Sequence, residues 1–312
     1  MKKALLALVI LSWLLACTGD EPQAVVWHSG ADEELIAFLR RDLENFVSRI
    51  YVMRPDGSDV QMQGTRAGDV DRNLRWSRDG ERLAYLWDTK IYILSETELV
   101  RKRFDPPVVP EGFTWSPDGN YFAFHSQHEY YDNWHAFRIY ISPANTLSIS
   151  RTLPLVDTIN LWDVDPDWSP DGTKIAFSSD RARDSGRDIY LMNPDGSEVE
   201  RLTYRPNDKF RPIWSPDGKK IVFESRSAEN RSWNIYVMNA DGTGIVQVTH
   251  NLQSEECHCP SWSPDGTKLA FASSHEGNSE IYTINIDGTG LKRLTNYPGR
   301  DYAPSWSPGK GH

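Results

Sequence analysis

The chain is poor in the features that mark most enzymes and membrane proteins. Beyond its first residues it has no long apolar helical period, which argues against a helical fold. It lacks Gly-x-Ser-x-Gly, the turn that presents a serine-hydrolase nucleophile, and has no room for the α/β domain that would carry one. No His-Glu-x-x-His or similar local ligand pair is present, which weakens the case for metal catalysis. Basic residues are outnumbered, 34 Lys and Arg against 44 Asp and Glu, so nucleic acid is excluded as a partner. Cysteine is almost missing, with Cys17 and the pair Cys257-His258-Cys259 as the whole supply. An oxidising compartment would favour a Cys257–Cys259 disulfide, but one intervening residue strains that ring, so a disulfide, an unbridged pair and a weak metal site all stand.

What is present describes a soluble globular chain, with 39% hydrophobic and 25% charged residues, and its 12 Trp and 13 Tyr favour strands. At the N-terminus Lys2 and Lys3 precede an apolar run from Ala4 to Ala16, too short to span a bilayer. Leu14-Leu15-Ala16-Cys17 resembles the lipobox of bacterial lipoproteins. That resemblance implies a signal peptide over residues 1–16, acylation of Cys17 and a lipid-anchored tether over residues 17–34. A plain secretory signal cut after Ala16 is the alternative, and both readings export the protein. Removing the two signal lysines takes the formal charge from -10 to -12.

Internal repetition sets the architecture. Trp-Ser recurs at 76, 115, 168, 214, 262 and 306, followed by Arg-Asp-Gly in the first copy, Pro-Asp-Gly in the next four and Pro-Gly in the last. Ile-Tyr recurs at 50, 91, 139, 189, 235 and 281, often ahead of a second Asx-Gly turn such as Asn193-Pro194-Asp195-Gly196. Each period holds four short strands, a to d. In Ser-Pro-Asp-Gly the Pro presets φ, the Asp bonds nearby backbone and the Gly takes the left-handed conformation. Four-stranded sheets repeated about an axis make a β-propeller, an all-β fold of six blades over residues 35–312 in which the Trp rings pack between blades.

These Trp-Ser-Pro-Asp-Gly and Ile-Tyr-x-Met-Asn-x-Asp-Gly repeats resemble the TolB-like propeller family over roughly residues 35–308. The resemblance implies a scaffold with envelope-protein partners, although similar repeats also occur in prolyl-peptidase-like enzymes and polysaccharide lyases. Ser95-Glu96-Thr97-Glu98 and Pro143-Ala144-Asn145-Thr146 depart from the Asp-Gly turn. Ile36-Ala37-Phe38 stands fourteen residues before Ile50-Tyr51, as Ile175-Ala176-Phe177 does before Ile189-Tyr190. Residues 35–63 therefore supply strands b, c and d, and the segment at Trp306 supplies their strand a in a composite blade closed from both termini. A rival closure uses Val25-Val26-Trp27.

Strand parity puts the tight turns at one end and the long b-to-c and d-to-a loops at the other, where a site on a rigid scaffold belongs. Acids precede the Trp landmarks there: Asp71, Glu111, Asp163, Asp208, Glu256 and Asp301. They are expected to ring the channel mouth and hold a cation or a basic polypeptide end, or else to bond backbone in their own loops. The blade-two loop adds Tyr130, Tyr131 and Trp134, with His125, His128 and His135, while His250, His258 and His275 share the face. The reading is a non-catalytic, monomeric, lipid-anchored scaffold of the bacterial cell envelope, periplasmic or on the outer surface, and without cofactor. It binds an envelope protein or extended peptide through Asp163, Asp208, Glu256, Asp301, Tyr130, Tyr131, Trp134 and Trp233. The alternatives are a metal-dependent polysaccharide lyase, and a carbohydrate-binding propeller stacking sugars on Tyr130, Tyr131, Trp134 and Trp233.

Overall fold

The computed structural model describes residues 34–44, 47–67, 73–87, 89–95, 99–102, 108–130, 134–145, 151–152, 161–182, 186–204, 207–226, 232–250 and 257–308. The expected signal, tether and lipidation residue Cys17, and the rival closing strand at Trp27, lie outside them. Six four-stranded antiparallel sheets form the ring of a six-bladed propeller. Inner strands a are Leu74–Trp76, Pro110–Trp115, Asp163–Trp168, Lys209–Trp214 and Cys257–Trp262 in blades 1 to 5. Arg300–Trp306 is the inner strand of the sixth blade and pairs with Ile36–Arg41, which continues to Ser48–Met53 and Gln61–Ala67. The composite blade is therefore closed by Trp306. The two turns without Asp-Gly still deliver their outer strands, Leu99–Lys102 and Arg151–Thr152.

The repeat residues earn their places by packing. Where a Phe of strand b lies opposite the Tyr of Ile-Tyr in strand c, two rings stack across the strands, as in Phe38–Tyr51, Phe124–Tyr140, Phe177–Tyr190 and Phe223–Tyr236 at 5.5–5.8 Å. Tyr85–Tyr92 and Phe271–Tyr282 complete the set. Such a pair adds about 0.5–1.5 kcal/mol to the burial of each ring. The landmark tryptophans tie blades together: the indole N–H groups of Trp76, Trp115 and Trp262 donate to the carbonyls of Ser305, Arg75 and Ile213 in the preceding blade, at 3.1, 3.2 and 3.0 Å.

The tight turns repeat one bonding pattern. Ser77, Ser116, Ser169, Ser215 and Ser263 each donate Oγ–H to the Asp two residues on at 2.5–2.6 Å, and the following Gly N–H closes onto the Ser carbonyl at 2.9 Å. Between these turns the channel opens into a cavity of about 270 Å³ walled by the six tryptophans. Its rim carries Pro117, Pro170, Pro216, Pro264 and Pro308, with Arg78 at the sixth place.

A second regularity lies deeper in the channel. Asp165, Arg211, Cys259 and Ala303, each three residues before a landmark Trp, have φ of 54, 51, 56 and 51°. At each the pairing of strands a and b slips, which is a bulge that turns the inner strand toward the axis. Left-handed backbone at a side-chain-bearing residue costs about 1 kcal/mol or more, and the surrounding sheet holds it.

Candidate binding face

The bulges project a chain of polar groups around the channel on the loop side. His125 is buried in blade 2, where its Nδ1 accepts the Asp165 N–H at 3.1 Å, and burial lowers its pKa. Gly112 is required beside it, since a Cβ there would collide with the imidazole. The Arg211 N–H donates to Asp165 Oδ2 at 3.3 Å, and the Arg211 guanidinium donates to Glu224 Oε1 at 3.1 Å. Glu224 also accepts the Cys259 N–H at 2.7 Å and pairs with His258 Nδ1 at 3.0 Å. Burial pushes the Glu224 carboxyl up, but Arg211 and His258 overcome it and hold the pKa at about 2. The Arg211 pKa is raised: burial alone would lower it, and the adjoining Glu224 outweighs that.

Cys257 and Cys259 are buried and not bridged to each other. Cys257 belongs to the core between blades 4 and 5, whereas Cys259 faces the channel with its Sγ 3.7 Å from Arg211 Nη1. Among the described residues no three His, Cys, Asp or Glu side chains converge in a way that could hold a metal ion.

Two of the acids expected to ring the mouth, Asp163 and Asp301, are buried inside the fold. Asp301 is fully buried and receives both prongs of Arg40, at 2.7 Å each, while Arg40 lies over Tyr51 and Tyr297 at 4.7 and 4.2 Å. Asp163 is buried and paired with Arg181 at 2.9 Å. Burial raises the pKa of both acids, and the arginines pull against that rise. Asp208 is half-buried and accepts the Arg187 N–H at 3.0 Å. Glu111 is exposed. Asp71 and Glu256 lie outside the described residues. Asp163 and Asp301 thus pair with arginine side chains of their own blades, and Asp208 bonds the backbone at Arg187.

Tyr130 and Trp134 are cross-strand partners at the tip of the blade-two hairpin, between Tyr121–Tyr130 and Trp134–Pro143. Tyr131 lies outside the described residues. Trp233 begins strand c of blade 4 and meets Phe210 edge to face at 5.3 Å and His258 at 5.9 Å. It is one end of an arc that motif reading missed. Phe137 contacts Trp162 at 4.9 Å, and the Arg187 guanidinium lies over both Trp162 and Phe210, 4.6 Å from each centroid. Trp162 is 37% exposed. Among the described residues no carboxylate pairs with Arg187, and its buried Nε has no hydrogen-bond partner. The arc spans blades 2 to 4 and offers flat apolar surface around one cation, which suits an extended chain with apolar side chains and a carboxylate or backbone carbonyl.

A family model described as the TolB beta propeller domain matches residues 30–257 and 229–311. Among solved structures the chain is similar to TolB from Acinetobacter baumannii, with a TM-score of 0.72 and 20% identity over 89% of this chain and 67% of that one. It is also similar to oligogalacturonate lyase from Vibrio parahaemolyticus, with a TM-score of 0.52 and 16% identity over 86% of this chain and 75% of that one. A 49-residue stretch is 43% identical to the uncharacterized peptidase YuxL of Bacillus subtilis (strain 168), covering 16% of this chain and 7% of that protein. Likeness at these structural identities establishes a shared fold.

Proposed function

The chain belongs to the TolB beta propeller domain family, and from that premise we propose that it is a non-catalytic scaffold of the bacterial cell envelope. In this reading Cys17 carries the lipid anchor, and the loop face binds an envelope protein or an extended peptide. The observation that carries the reading is Arg187 stacked between Trp162 and Phe210 with no acid partner among the described residues. Aromatic anchors dominate interface energetics, and a cation flanked by two rings supplies direction to a bound chain. Trp233 extends the platform, and we assign Tyr130 and Trp134, backbone partners at the tip of the blade-two hairpin, to the same partner surface. Because Asp163 and Asp301 are already neutralised by arginines, their part is to hold the loops that present it.

Crosslinking and pull-down from native membranes identifies the partner, and dissociation rates then locate its site. Trp162→Ala and Trp134→Ala are each expected to weaken binding by about 1–3 kcal/mol, mainly through faster dissociation. A partner whose affinity ignores both variants removes the loop face from the reading. The exposed Trp162 also suits a sugar ring, so uronate oligosaccharides belong in the same assay. Saturable binding or cleavage of them would favour the carbohydrate reading over the scaffold. Labelled palmitate that never enters the protein in a bacterial host would remove the anchor at Cys17.

A further inference from the structure

The turn-side mouth of the channel holds charge that a loop-face scaffold leaves unused. Its walls carry six tryptophans below a rim of five prolines, with serines and Thr114 between them. Within them lie two arginines and one acid, Arg75, Arg78 and Asp167. Both Asp167 oxygens are engaged, one by Thr114 Oγ1 at 2.8 Å and the other by the Trp214 N–H at 2.9 Å. The donors are not matched in the same way. Arg75 Nε, Trp168 Nε1 and Trp214 Nε1 are buried without a hydrogen-bond partner among the described residues. Around the cavity the unmatched groups are donors, while each Asp167 oxygen already has one, which is the inverse of what a cation site needs.

Arg78 is the sharper signal. It stands where four other repeats have the Pro of Ser-Pro-Asp-Gly, so it is the one charged residue on the rim. Its side chain crosses the mouth and donates Nη2–H to the carbonyl of Pro216, in the blade opposite, at 3.0 Å. Turn glycines elsewhere sit against the preceding blade's proline, as Gly172 does against Pro117 and Gly218 against Pro170. At Gly119, which follows Arg78 around the ring, the neighbour is Arg82 instead. Arg82 lies over Trp115 at 4.7 Å and fills the slot that Arg78 has left. Burial lowers the Arg78 pKa, and Asp167 and Asp171 offset this only in part, so the cation is short of counter-charge.

We propose that this mouth is a binding site for a carboxylate carried on an apolar body, with Arg78 and Arg75 meeting the carboxylate and the tryptophan collar enclosing the body. A carboxylate makes a charge-assisted bond to Arg78 that outcompetes the neutral Pro216 carbonyl, so binding swings the guanidinium off the opposite blade and onto the ligand. A single negative charge fits best: two arginines less one ionised Asp167 leave one net positive charge, and a dianion would face Asp167 and Asp171 as well. A cavity of about 270 Å³ takes one side chain's worth of apolar group, near the lower limit for ligand sites. The end of a polypeptide and a free organic acid share this chemistry.

The test titrates the full-length protein with N-acetyl-leucine and with N-acetyl-leucinamide, following tryptophan fluorescence and heat. The acid is expected to bind saturably and the neutral amide at least about tenfold more weakly. Arg78→Gln and Arg78→Pro are each expected to weaken the acid by about tenfold or more while melting as the parent does, since the proline variant restores the turn of the other repeats. N-acetyl-leucyl-leucine binding more tightly than 4-methylpentanoate assigns a polypeptide end, and parity assigns a free acid. Equal binding of acid and amide, no saturation by either, unchanged affinity in both Arg78 variants, or inorganic phosphate binding as tightly as the acid would each overturn the site.

Discussion

At the turn end of the propeller, five corners repeat one bond, Ser Oγ–H to Asp Oδ1 at 2.5–2.6 Å. At the loop end the partners change from blade to blade: Asp301 with Arg40, Asp163 with Arg181, Asp188 with Arg201 and Lys209, Glu224 with Arg211 and His258. The turn end is exposed, local and redundant, so no single corner is critical. The loop-end acids are buried and each has its own partners, at sequence separations from 13 to 261 residues, so each is a separate commitment. Repetition marks what the fold needs, and departure from it marks what one position was given to do. Arg78 is a departure at the redundant end, which is why it stands out.

The largest way to break this comparison is to remove strand a of the composite blade. A chain lacking residues 300–312 leaves the inner edge of Ile36–Arg41 unpaired, so aggregation or a broad melt by circular dichroism is expected. A melt as sharp and as high as that of the full chain would show that the ring does not depend on this strand.

Next in size is Glu224→Ala, which strands Arg211 in the channel wall and is expected to cost about 3–5 kcal/mol in urea unfolding. The folded carboxyl titrates at about 2, below its unfolded value, so its contribution is complete above the unfolded pKa and fades as pH falls through about 2. The gap between wild type and variant should therefore hold above the unfolded pKa and narrow progressively from there down to about pH 2. A loss below about 1 kcal/mol would place Glu224 with the redundant interactions.

Asp167 behaves in the opposite sense. Burial, incompletely offset by Arg75, raises its pKa to about 6. Its protonated form is the one the fold prefers, so stability is complete below the unfolded value near 3.9 and declines as pH rises through about 6. Relative to Asp167→Asn, which keeps every other titrating group, the wild type should lose up to about 3 kcal/mol between these limits. Parallel pH profiles for the two proteins would refute the assignment. The smallest effect is expected at a repeated corner: Asp217→Ala removes the bonds from Ser215 Oγ and the Lys219 N–H, costs about 1 kcal/mol, and leaves loop-face binding untouched. A binding defect in this variant would sharpen the comparison against the assignment of faces.

The fold was legible because its signals are local. Trp-Ser-Pro-Asp-Gly encodes a corner, Ile-Tyr encodes a stacked strand pair, and six copies each of Trp-Ser and Ile-Tyr count the blades. Closure by Trp306 could be read because the N-terminal Ile36-Ala37-Phe38 lacks a preceding corner of its own. The binding face was legible only in part. Trp162, Arg187 and Phe210 carry no motif, lie far apart in sequence and meet only because strands of two blades converge. The acids Asp163 and Asp301 were visible, but their arginines, Arg181 and Arg40, fall at different distances along the chain, so pairing could not be inferred from spacing. The turn-side cavity left one readable trace, Arg78 in the place of proline, whose meaning depends on seeing which carbonyl it reaches.

The pairing of residues 36–41 with 300–306 also sets a timetable. The earliest strands made must wait for one of the last before their sheet is complete, and joining them closes a loop of most of the chain's length. Contacts so distant in sequence form late and slowly, so the first blade begun is the last one finished. Until then the growing chain is an open arc rather than a ring, with the edge of Ile36–Arg41 unpaired. Anything that must act on the chain while it is still threadable, a translocation pore or a chaperone that caps strand edges, has the interval before residue 306 is made in which to do so.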